Sequence, residues 1–226
     1  MTKADTHYLT LIGDLVASRA LAPGERAEVQ ERFKSVLGEV NEKFREEIAS
    51  LFLITAGDEA QGILKRPDYS YEIVRHIQIG LAPVGIIFGL GYGPLSTEVG
   101  EFAVGADGPA FHLAREALTK AKQERKVYGK SILRDVRLHS HLEFLDTVVN
   151  GLFLSLSVLK NRWTEKQSRV LHLLEQGENQ TSVAKSLQSP LSNISRTIET
   201  AHYREYESLV ASLIWVFRNG FKKDAL

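Results

Sequence analysis

Two short stretches place acidic side chains where they could do chemistry. Asp14 closes the apolar run Tyr8-Leu9-Thr10-Leu11-Ile12 after Gly13, and Asp58 and Glu59 sit in Ala56-Gly57-Asp58-Glu59 between the apolar runs at 51–55 and 60–64. Apolar runs of strand length on either side of a Gly-Asp dipeptide read as a hairpin, so the turn presents Asp58 and Glu59. A hairpin paired beside the first strand makes Asp14 and Asp58 neighbours. Hard carboxylate oxygens from adjacent strands are what Mg²⁺ needs to hold a nucleoside triphosphate, with phosphate and water filling the remaining positions; Glu59 adds a third oxygen ligand. The loop after Asp14 offers backbone N–H groups, the Ser18 hydroxyl and the Arg19 guanidinium to phosphates near the start of the next helix. The same residues also have a plain structural reading, because Gly-Asp is an ordinary hairpin turn and an acid after a strand can cap a helix.

The elements that must position these residues follow from periodicity. Between 23 and 47, Val29, Phe33, Val36, Leu37, Val40 and Phe44 recur at three- and four-residue spacings, one face of a helix. A second amphipathic helix is expected over 69–81, a glycine-rich strand over 84–92, a helix over 109–122 and a last short strand at Ser131-Ile132-Leu133. Strand, helix, strand, strand, helix, strand is the βαββαβ order of a ferredoxin-like α+β sandwich, with helices covering one face of a mostly antiparallel sheet. This unit is expected to span 1–138. From 139 to 163 the chain turns apolar, which predicts a connecting or dimer-forming helix.

The remainder, 164–226, reads as an all-α helix-turn-helix region. Thr164 can cap a helix through Val170, Leu171, Leu173 and Leu174 that stops at Gly177. A short helix carries Val183, Ala184 and Leu187, and a third begins after Ser189-Pro190 with Leu191, Ile194, Ile198 and Ala201 inward. Ser192, Asn193, Ser195 and Arg196 then point outward. Amide and guanidinium groups pair with base edges, which makes Ser192, Asn193 and Arg196 candidates for reading DNA and nearby Lys185 a candidate phosphate contact. Polar outward residues equally suit a plain helical packing unit.

Composition sets the bounds. The 226 residues are 43% hydrophobic and 25% charged, which excludes a disordered or collagen-like chain. Twenty-eight basic residues balance twenty-eight acidic ones, so net charge indicates no polyanion partner, although the part after Leu159 leans basic. With no cysteine, disulfides, thiolate zinc sites and cysteine nucleophiles are excluded. The short polar N-terminus and the lack of about 18 consecutive apolar residues predict a cytoplasmic protein without a membrane span. His139 and His141 suit one strand face but lack the neighbours of a metal site, Trp163 and Trp215 read as packing residues, and the glycines around Gly89 and Gly91 allow close backbone approach.

Ile12-Gly13-Asp14-Leu15-Val16-Ala17-Ser18-Arg19 together with Ile54-Thr55-Ala56-Gly57-Asp58-Glu59-Ala60-Gln61-Gly62 resembles the SatD family of bacterial proteins. Both motifs are more distantly similar to the metal-aspartate motifs of class III nucleotide cyclases, and the second resembles the turn of GGDEF diguanylate cyclases. Val84 to Gly91 and Gly105 to Arg115 are similar to the cyclase strand and the helix after it. The resemblance implies a cyclase-like fold over about Tyr8 to Leu118, Mg²⁺ at Asp14 and Asp58, a nucleoside triphosphate, and Arg115 in the role of the cyclase arginine. Phe111 stands where that pattern has an asparagine. Loss of one such contact lowers a rate by about 10²–10³, which disfavours cyclisation. Ala56 and Ala60 depart from GGDEF, so diguanylate synthesis is not implied. The stretch from Thr164 to Tyr206 resembles the helix-turn-helix of response regulators and sigma factors.

Three functions remain open at this point. A dimeric DNA-binding regulator would sense a nucleotide with Mg²⁺; a divergent cyclase or phosphoryl transferase would use Arg115 against phosphate charge; a scaffold would keep the acids as turn and cap residues.

Overall fold

The computed structural model describes residues 6–16, 22–128 and 135–222. Strand β1 (His7–Leu15) is followed by helix α1 (Pro23–Lys43), strands β2 (Ile48–Ala56) and β3 (Glu59–Leu64), helix α2 (Ser70–Leu81), strand β4 (Ile86–Pro94), helix α3 (Pro109–Tyr128) and strand β5 (Val136–His139). Helices α4 (Glu143–Asn161), α5 (Glu165–Glu175), α6 (Gln180–Ser186), α7 (Leu191–Thr200) and α8 (Tyr203–Asn219) complete a mixed α+β chain. The sheet runs β2-β3-β1-β4-β5, antiparallel except where β5 lies parallel to β4. Serine 131 to leucine 133, expected as the last strand, falls outside the described residues; the fifth strand is Val136–His139.

Helices cover both faces of this sheet, not one as the element order suggested. Leu9, Leu11 and Leu15 pack with Phe33, Val36 and Val40 of α1 and Ile73, Ile77 and Leu81 of α2. Ile12 and Ile87 point the other way, into a smaller cluster with Ala114, Leu118 and Ala121 of α3. The reason lies in β1, where successive residues Leu11 and Ile12 are both fully buried, the mark of a strand covered on both sides. Helix α3 sits very close. A Cβ built at Gly89 would lie 2.1 Å from the Ala114 carbonyl oxygen, and one at Gly91 would lie 2.1 Å from that of Ala110. These glycines therefore set the distance between α3 and β4.

The apolar stripe of α4 (Leu145, Val149, Phe153, Leu156) is buried within this chain, against β5 and α8. Phe153 meets Phe217 of α8 with ring centroids 6.1 Å apart, and the same hydrophobic cluster runs without a break from β1 to Phe217. Thr164 caps α5 in a capping box with Gln167, Gly177 takes φ +92° after α5, and Asn179 caps α6 by accepting from Ser182 N at 2.9 Å.

Two expected packing residues face outward instead. Leu191 is 48% exposed while Ile194, Ile198 and Ala201 are buried; it lines an open groove beside Gln180, Thr181 and Lys185 of α6. Trp215 is 64% exposed because it stands two residues from both Leu213 and Phe217, on the opposite side of α8 from the buried stripe. Trp163 is the packing residue expected: its Nε1–H donates to the Ala201 carbonyl at 2.8 Å and its ring meets Tyr206 edge-on.

Candidate functional site

The hairpin turn fixes which acids meet. Gly57 and Asp58 form a two-residue turn between Ala56 and Glu59, and Gly57 has φ +61°, a conformation that suits glycine at the first turn position. Beside β1, this places Glu59 directly opposite Asp14 and Gln61 opposite Ile12. Opposed residues of antiparallel strands project from the same face, so Asp14 and Glu59 share the α3 face with Ile12. Asp58 is not opposite Asp14; it lies one residue further out, in the turn, where its carbonyl accepts from Leu15 N at 2.9 Å.

Helix α3 brings cations to both acids. Arg115 and Lys122 are seven residues apart, two helical turns on one side. Lys122 Nζ lies 2.8 Å from Asp14 Oδ1, and the Arg115 guanidinium donates from two nitrogens to the two oxygens of Glu59, one bond at 2.9 Å. The carboxylates are the more covered partners, with Asp14 20% and Glu59 16% exposed against 39% for Lys122 and 45% for Arg115. Arg115, expected to face phosphate, is therefore engaged by Glu59. Phe111, one turn before it, packs against the cluster of Ile12, Ile87, Ala114 and Leu118. Ser18 and Arg19 lie outside the described residues.

As paired here, Asp14 and Glu59, two of the three acids expected to hold a divalent ion, do not fit one. A hard cation needs several free carboxylate oxygens, whereas Asp14 and Glu59 already accept from Lys122 and Arg115. Among the described residues no group of three or more His, Asp or Glu side chains is placed to hold a metal. His139 lies 3.0 Å from Glu116, and His141 follows the end of β5.

The sequence reading missed Lys122 and Gln61. Lys122 was detectable from its seven-residue spacing to Arg115. Gln61 is buried and donates to the Ala103 carbonyl at 2.7 Å, a contact with a loop that no local pattern announces.

On the helical side, Ser192, Asn193, Ser195 and Arg196 are exposed on α7, and Lys185 is exposed on α6. Ser195 Oγ donates to Gln180 Oε1 at 3.1 Å, which ties α7 to α6. Exposed Lys166 and Arg169 of α5 join Ser189, Asn193 and Thr197 around a groove of about 470 Å³. These two basic residues were also missed.

Fold and site define a mixed α+β protein with a charge-paired cluster where β1 ends beside β3, and a helical C-terminal part. Residues 8–205 match the SatD family, and the chain belongs to that family. Two solved structures of a bacterial light-regulated adenylyl cyclase are similar in part. One is 13% identical, with a TM-score of 0.44 over 59% of this chain and 75% of its own. The other is 12% identical, with a TM-score of 0.41 over 59% of this chain and 43% of its own. Comparison with curated proteins gives no match. No helix among the described residues is long and apolar enough to cross a membrane.

Proposed function

We propose that this chain is a cytoplasmic DNA-binding transcriptional regulator, acting as a homodimer, whose sheet-containing half responds to a nucleotide. In this reading residues 1–138 form a ferredoxin-like, cyclase-like unit, 139–163 connect, and 164–226 carry a helix-turn-helix with α7 as the recognition helix. One observation carries it: α7 buries Ile194 and Ile198 and leaves Ser192, Asn193 and Arg196 exposed on its other side. A recognition helix needs this division, because its inner face holds it to the protein while its outer face reaches base edges. Lys185, Lys166 and Arg169 supply charge for phosphates on either side.

The test is selection of duplex DNA from a random pool by the full-length protein, with and without ATP or GTP, in Mg²⁺ and in EDTA. An enriched sequence that disappears in Asn193→Ala/Arg196→Ala and whose affinity shifts with nucleotide supports the reading. Absence of enrichment under all four conditions overturns it.

A further inference from the structure

We propose that Lys122 is a built-in cation that takes the place of a divalent ion at the opposed Asp14–Glu59 pair, so that this pair is a metal-independent site. The inference goes beyond DNA reading and does not depend on it.

The strand register forces the problem that Lys122 solves. Asp14 and Glu59 are directly opposite each other, project to one face and are both largely covered. Like charges in that relation destabilise a sheet, and each carboxylate loses hydration as α3 closes over it. Some cation must stand there. Two arrive on one helix: the Lys122 ammonium donates to Asp14 at 2.8 Å, and the Arg115 fork grips both oxygens of Glu59.

The position of the helix makes these contacts a built feature. Gly89 and Gly91 let the α3 backbone lie against β4, and Ala110, Ala114, Ala117 and Ala121 are fully buried beneath it. Helix α3 cannot approach or retreat without opening this packing, so its position holds the two cations over the two carboxylates. Asp14 and Glu59 are then each paired with one cation of α3, beside Asp58 in the turn. A divalent ion added to this set would have to displace an ammonium from Asp14 and remain close to a second cation on the same helix.

The experiment uses the full chain and Mn²⁺ as the probe, followed by its electron paramagnetic resonance signal and by thermal melting. Wild type is expected to bind Mn²⁺ no tighter than about 1 mM, and Lys122→Met to bind at least about tenfold tighter. Adding Asp14→Asn to Lys122→Met should abolish the gain, and Lys122→Arg should behave as wild type. Lys122→Met should also melt lower than wild type in EDTA and recover part of the difference in Mn²⁺. Lys122→Gln serves the same purpose if the methionine variant does not fold. Micromolar Mn²⁺ binding by wild type that Asp14→Asn removes would overturn the proposal. So would a folded Lys122→Met or Lys122→Gln protein with no gain in Mn²⁺ binding.

Discussion

Arg75 of α2 and Glu175, the last residue of α5, form a two-pronged ion pair across 100 residues of sequence. The Tyr206 hydroxyl donates to the same carboxylate at 2.7 Å and stands 3.1 Å from the Tyr71 hydroxyl, so two helices of the C-terminal part are fastened to α2 at one polar point. Burial raises both tyrosines, Tyr71 to about 12, which keeps them as hydrogen-bond donors across the physiological range. Arg75→Met leaves Glu175 covered without its cation and should destabilise the protein by about 3 kcal/mol. The double variant Arg75→Met/Glu175→Leu should lose less than Arg75→Met alone, because no orphaned charge remains. Urea denaturation of the four proteins of this cycle measures both. A double variant as unstable as the sum of the singles would show that the pair is not energetically coupled.

Next to this clamp, Lys160 at the end of α4 is pulled down to about 8 by burial and by the neighbouring Arg75, with Glu175 and Asp135 acting in the opposite direction. Asp135 is itself raised by burial. For Lys160, folded and unfolded chains both hold the proton below pH 8, and the burden of a buried ammonium is fully present there. Between pH 8 and the ordinary lysine range near 10.5 the unfolded chain binds more protons, so stability rises with pH. Above about pH 10 Tyr71 works the other way, because it keeps its proton longer in the folded chain. The melting temperature should therefore climb by about 2–4 °C or more from pH 7.5 to 9.5. Lys160→Met should melt higher at pH 7.5 and show no climb. With no cysteine in the chain, no thiol titration obscures this window.

How far the sequence disclosed all this varies with the range of the interaction concerned. Strands β1 to β3 and the Gly57-Asp58 turn were legible because apolar runs and a glycine needing φ +61° are local signals. Register was not: a shift of one residue decides whether Asp58 or Glu59 faces Asp14, and turn geometry settles it. The second helical layer was half legible, since the adjacent apolar residues Leu11 and Ile12 of β1 leave neither face of the strand wholly polar. The Arg75–Glu175 pair had no local signature at all. Leu191 and Trp215 differ from their expected burial for a simpler reason, namely that hydrophobic type does not say which positions of a helix its neighbours cover.

The close contact of α3 and β4 gives a steric prediction with its own control. Gly91→Ala would put a Cβ 2.1 Å from the Ala110 carbonyl and 2.2 Å from Ala114 N, backbone atoms that cannot swing aside. It should destabilise the protein by at least about 2 kcal/mol, through displacement of α3. Gly38→Ala, on an exposed face of α1 with nothing within 4 Å of the added Cβ, should instead stabilise by about 0.5–1 kcal/mol. Equal effects in thermal melts would mean that glycine flexibility, not the approach of α3, dominates both sites.

Exposure on α7 and α6 separates two kinds of DNA contact that the proposed function requires. Arg196 stands on the outer side of α7, where a guanidinium reaching a guanine edge contributes about 1–3 kcal/mol of discrimination at one base pair. Arg196→Ala should therefore relax preference at one position of the selected sequence and leave the salt dependence nearly unchanged. Lys185 sits on α6, beside α7 and not on it. In the proposed reading an ammonium there meets phosphate, so Lys185→Ala should weaken all sequences alike and lower the slope of log affinity against log salt by about 1. Fluorescence anisotropy over a salt series, on the best duplex and on a scrambled one, distinguishes the two variants. Identical behaviour of both would place α7 along the backbone and take base reading away from it.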